Sequence, residues 1–69
     1  METHAGWINP QFDLVGVDGN AFAVMGAVRR ALRKAGNSKE VIAAYTEEAQ
    51  TDDYDHLIQV SMLYAGMMS

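Results

Sequence analysis

Residues 18–36, DGNAFAVMGAVRRALRKAG, show the cleanest separation of apolar and charged faces in the chain. On a helical wheel, Ala21, Val24, Met25, Val28, Ala31, Leu32 and Ala35 fall within an arc of roughly 120° that holds no charge. Arg29, Arg30, Arg33 and Lys34 all lie outside that arc. Asn20 suits the N-cap, because its side-chain oxygen can accept an orphan backbone N–H of the first turn. Gly36 suits the left-handed position just past the last turn. The segment therefore predicts a core-facing helix on which the remainder of the 69-residue chain must pack.

Upstream, residues 12–17 (FDLVGV) alternate as a short strand, with Phe12 and Leu14 on one side and Asp13, Val15 and Val17 on the other. Residues 18–20 supply the turn into the helix. A strand needs a partner for its backbone groups, and two are open: the tail beyond Tyr64, or the same strand in another subunit. Residues 1–11 carry Trp7 and Pro10 without periodicity and read as a flexible arm pinned by Trp7. Downstream, Asn37 or Ser38 caps a second helix, with Glu40 placed to complete a capping box with Asn37. Its apolar arc of Val41, Ile42, Tyr45 and Ala49 is narrow, about 100°. Thr51 or Asp52 caps a third helix from about residue 53 to 65, whose aspartates suit the positive helix end. Tyr54, Leu57, Ile58, Val60, Ser61, Met62, Tyr64 and Ala65 cover about 200° of its wheel, with Leu63 beyond. The expected fold is mainly α: a small three-helix domain over residues 12–66 with one short N-terminal β-strand, an arm at 1–11 and a frayed tail at 67–69.

Composition narrows the function classes. A chain this short buries only about 60% of its unfolded surface. The absence of cysteine removes disulfides, thiolate metal sites and a Cys nucleophile. A hydrophobic content of 49% argues for a folded protein. No apolar run approaches the roughly 20 residues of a membrane span, and the opening residues lack the pattern of a signal peptide. A cytoplasmic protein is expected. The net charge of −4 disfavours general nucleic-acid affinity, which rests on phosphate neutralisation. So small a domain without covalent staples, with so broadly apolar a third helix, predicts a homo-oligomer. Its expected interface is Tyr54, Leu57, Ile58, Met62 and Leu63.

The run DGNAFAVMGAVRRALRKAG, followed by VIAAYTEEAQ and DYDHLIQVSM, resembles a family of short uncharacterised proteins encoded by bacteriophages and related mobile elements. In that family a strand leads into a D-G-N-x-F turn and helix, then a second helix, then a helix opening D-Y-[DN]-x-L-[LI]. Asp18, Gly19, Asn20, Phe22, Gly26, Ala35, Gly36, Asp53, Tyr54, Asp55, Leu57 and Ile58 match, spanning roughly residues 12–63. The family often closes with a short strand, from which AGMMS departs. The resemblance implies a phage setting, and hence the cytoplasm of a bacterial host cell, and assigns no mechanism.

Several residues are candidates for function. Phe22, Gly26, Arg29 and Arg33 share one side of the first helix, with Arg30 beside them. An aromatic ring, a glycine gap and guanidinium groups suit a planar or anionic partner. The competing reading packs Phe22 under the strand, uses Gly26 for close approach of another element and pairs the arginines with Glu40, Glu47 and Glu48. The turn at residues 17–20 opens a helix and so presents free N–H groups. Asp18 would repel an anion there, and no phosphate-loop pattern is present. Asp52 and His56 lie one turn apart, but a metal needs three or four ligands, and His4 is the only other imidazole. No catalytic motif is present, and Ser38, Ser61 and Ser69 have no evident base. Met62, Met67 and Met68 suit either adaptable contact surface or core filling. The expected function is therefore a non-catalytic phage accessory protein, without cofactor or metal, that binds and inhibits a host component. Alternatives are an oligomeric sponge for an anionic small molecule such as a signalling nucleotide, and a minor virion structural protein.

Overall fold

The first helix forms where the sequence places it. A computed structural model describes residues 7–67, and α1 runs Ala21–Lys34 with the Asn20 side chain accepting from the Phe22 backbone N–H. Val24, Met25, Val28 and Leu32 of the apolar arc are buried, and Ala21, Ala31 and Ala35 at its edges are half-buried. Gly36 ends the helix at φ 100°. Its N–H donates to Arg33 O and that of Asn37 to Leu32 O, a pairing that satisfies the last carbonyls of a helix.

Ser38, not Asn37, caps α2 (Lys39–Ala49), accepting from the Val41 N–H. With the cap at Ser38, the third helical position is Val41, so the Asn37–Glu40 capping box does not form. Asn37 is buried and serves as a clip instead. Its Oδ1 accepts from the Ile8 N–H at 2.6 Å, and its Nδ2 donates to Ile8 O at 2.8 Å and Leu32 O at 3.0 Å. Asp53, one residue beyond the expected caps, opens α3 (Tyr54–Ala65) by accepting from the His56 N–H at 3.0 Å. Gly66 closes α3 at φ 89°, where a Cβ would also run into the Asn9 side chain.

Each helix packs on the other two. Their core joins Val28 and Leu32 of α1 to Ile42 and Tyr45 of α2 and to Leu57, Val60 and Tyr64 of α3. Inside it, the Tyr45 and Ser61 hydroxyls bond each other at 2.7 Å, and the Tyr45 and Tyr64 ring centroids stand 5.2 Å apart.

The N-terminal strand is not present: residues 12–17 are irregular, and no strand occurs among the described residues. The tail does meet this segment, but through a single backbone–backbone bond, Phe12 N–H to Ala65 O. Local bonds bend the rest. Asp13 accepts from the Val15 N–H, and the Val17 N–H closes a turn onto Leu14 O that contains Gly16 at φ 92°. Alternating side chains alone do not make a strand without a ladder. Instead the segment lies over the helices as a cover, with Leu14 and Val17 packed against the core. The Trp7 indole N–H donates to Tyr64 O at 3.0 Å, and its ring meets Tyr64 edge-on. Trp7 and Ile8 of the expected arm are thus docked, whereas residues 1–6 and the tail positions 68 and 69 lie outside the described residues. Because this cover and the two other helices wrap α3, the breadth of its apolar arc does not in itself call for a second subunit.

Two stability measurements follow from the buried polar groups. Asn37→Ala strands the Ile8 N–H and the Ile8 carbonyl, while Leu32 O keeps the residue-37 backbone N–H, and each unsatisfied buried group is expensive. Urea unfolding should show a loss of about 2–3 kcal/mol, where a loss within error would remove the clip. Burial raises the Tyr45 phenol, opposed by its bond to Ser61 and by Arg29. Burial, with the charge and hydrogen bond of Glu48, pushes Tyr64 from 10.0 up to about 12. A phenol harder to ionise in the folded state than in the unfolded one favours folding fully below the unfolded value and loses that contribution as pH rises to the folded one. Stability should therefore hold up to about pH 10 and fall towards pH 12, and Tyr64→Phe should flatten that fall in pH-dependent denaturation.

Candidate functional site

All five lysines and arginines lie between positions 29 and 39, so a chain of net charge −4 carries one cationic corner. The end of α1 and the start of α2 build it. Arg29 and Arg33 from α1 and Lys39 from α2 border an open groove of about 900 Å³ over Ile42 and Ala43, with Glu47 on the far wall. Arg30 and Lys34 turn to the other flank of α1. There they border a second cleft of about 370 Å³ against Pro10 and Phe12. Phe22 stands 80% exposed at the opposite end of the helix, in a shallow pocket with Asp52, Asp53 and Tyr54.

The candidate set from α1 is therefore shared out. Phe22, Gly26, Arg29, Arg30 and Arg33 occupy the outer side of one helix, but Phe22, Arg30 and the pair Arg29 and Arg33 border three separate clefts, none of them lined by Gly26, and no single cleft gathers the aromatic ring with the guanidinium groups. Nor does Phe22 pack beneath the N-terminal segment. A Cβ built at Gly26 meets nothing within 4 Å, so no described part of the chain occupies the gap.

A second surface is apolar. The N-terminal segment crosses α3 so that Leu14, Val15 and Val17 face Tyr54, Ile58, Met62 and Met67 across a groove of about 230 Å³. Val15 is 81% exposed, Tyr54 46% and Met67 38%. The Tyr54 hydroxyl donates to Gly19 O, tying α3 to the turn before α1. Of the five residues expected at an oligomer interface, Tyr54, Ile58 and Met62 meet here. Leu57 is in the core, and Leu63 lies on another side of α3 beside His56 and Gln59. Val15, Val17 and Met67 complete the groove and were not singled out as one surface from sequence. Their signal in the sequence is that Val15 and Val17 share one side of the expected strand, with a methionine near the end of the chain.

The remaining candidates have structural places. The His56 ring nitrogen Nε2 lies 3.2 Å from Thr51 Oγ1 and 3.1 Å from Glu48 O, at the end of α2. Among the described residues, no three His, Cys, Asp or Glu side chains converge in a way that would hold a metal. Ser38 is a cap and Ser61 is buried against Tyr45. His4, Met68 and Ser69 lie outside the described residues. No helix among the described residues is long and apolar enough to cross a membrane.

Glycine inside a helix costs about 1 kcal/mol relative to alanine. With open space at its Cβ position, Gly26→Ala should raise the stability of dilute protein by about that amount. A loss of stability on thermal or urea unfolding would mean that the gap is occupied within the chain.

No family model, curated protein or solved structure matches this chain.

Proposed function

We propose that the chain is a non-catalytic phage accessory protein that binds and inhibits a host protein in the cytoplasm of the bacterial host, docking through the apolar groove between the N-terminal segment and α3. The observation that carries this reading is the gathering of Val15, Tyr54 and Met67, three large exposed apolar side chains, along one groove that also contains Ile58 and Met62. Contiguous exposed apolar surface marks interaction sites. Methionine adapts its shape to a partner, and tyrosine is enriched among residues that dominate binding energy. The phage setting comes from the resemblance of the D-G-N-x-F and D-Y-D-H-L-I segments, Phe22 and Tyr54 included.

A second reading has one observation in its favour. The groove bordered by Arg29, Arg33 and Lys39 has room for a nucleotide-sized anion, and Arg binds phosphate bidentately. This is the sponge for an anionic small molecule.

Expression in a bacterial host separates the two. The docking reading expects growth inhibition and capture of one stoichiometric partner. Both should survive Arg29→Ala with Arg33→Ala and be lost in Val15→Glu, a fully tolerable change at so exposed a site. Capture indifferent to Val15→Glu would sink the groove as the docking surface. The sponge reading expects instead a rise in melting temperature with a nucleotide, since a ligand of the folded state stabilises it, and loss of that rise in Arg29→Ala.

A further inference from the structure

We propose that two copies of this chain associate through α1, the helices lying antiparallel about a two-fold axis at Gly26. The contact is distinct from the apolar groove and does not rest on the reading above. Three observations carry it.

Phe22 projects from the outer side of α1 at 80% exposure. One helical turn on, Gly26 leaves open space where a side chain would stand. No neighbour within the described chain fills the space at that glycine, whereas a helix crossing over it would use it, with room at the axis for a small side chain. The third observation is charge. Asp18, Asp52 and Asp53 lie around the start of α1 and its Phe22 pocket, and the cations Arg29, Arg30, Arg33 and Lys34 lie towards its end. A face that runs from acidic to basic is complementary to its own copy turned end for end, and repels a copy laid parallel.

The register follows from the axis. With Gly26 at the crossing, the two-fold axis sets Phe22 beside Arg29 of the second copy, which shares its flank of the helix, a guanidinium against an aromatic ring. Arg33 of the second copy, on the same flank, comes towards Asp52 and Asp53 of the Phe22 pocket. Both pairs occur twice, as two-fold symmetry requires. A helix of 14 residues is about 21 Å long, so the area covered falls below the roughly 800 Å² per partner of a standard interface. The dimer is accordingly weak, with dissociation in the micromolar to millimolar range. The α3 grooves of both copies stay open, so the dimer presents two of them.

The chain has no cysteine, which makes a symmetry-axis cross-link a direct test. Gly26→Cys places the only thiol at the crossing, where it meets its own counterpart. Oxidation should cross-link it several-fold faster than Ala43→Cys, an exposed control on α2. Sedimentation of the wild-type chain should show a concentration-dependent dimer that weakens in high salt and by about tenfold or more in Arg29→Glu. Circular dichroism of each variant checks that the fold is retained. A wild-type monomer persisting at millimolar concentration would overturn the proposal. So would equal cross-linking of the two thiols, or faster cross-linking through Met62→Cys. Failure to capture a host protein bears only on the α3 groove.

Discussion

The structure turns on how α3 is covered. Its apolar arc is too broad for two helical neighbours to bury, since each neighbour packs along one stripe of its surface. The missing cover is the segment before α1, and its first described residues are held from two sides. Trp7 hydrogen-bonds the Tyr64 carbonyl, and Asn37 grips both backbone groups of Ile8. Asn37 also binds Leu32 O, so the same side chain that fastens the cover finishes the end of α1. The first described residues and the α1–α2 junction are thereby joined into one support for the core.

That arrangement explains why a chain so short holds together without covalent cross-links. Every helix end is closed by a side-chain cap or a left-handed glycine. The polar atoms carried into the centre are placed to meet partners, as with the Tyr45 and Ser61 hydroxyls. Buried hydroxyls are costly only when unmatched. The row of aromatic rings Trp7, Tyr64 and Tyr45, in edge-on and tilted contact, then runs from the cover through α3 to α2.

The surface follows from the same geometry. The cover leaves Val15 exposed and borders the groove lined by Tyr54, Ile58 and Met62. Meanwhile the tight junction between α1 and α2 concentrates Arg29, Arg33 and Lys39 at one corner. Apolar and cationic surfaces are therefore on different sides of the molecule, which suits two separate contacts better than one composite pocket.

The sequence by itself determined the three helices, their termini to within a residue or two and the buried stripe of α1. These depend on short-range periodicity and on caps whose donors and acceptors are neighbours in the chain. It also marked Phe22, Gly26 and the arginines as lying on one outer side of one helix. Only the tertiary structure decided that residues 12–17 are a cover, that Asn37 is a clip, and that Phe22 and the arginines divide among three clefts. A two-residue alternation reads the same in a strand and in an extended cover, because the distinction lies in whether a partner backbone is present. The partners of Asn37 are 29 positions away at Ile8, and those of Val15 are α3 residues some forty positions later. Contacts at such separations are set by how the helices pack, and no local pattern encodes them.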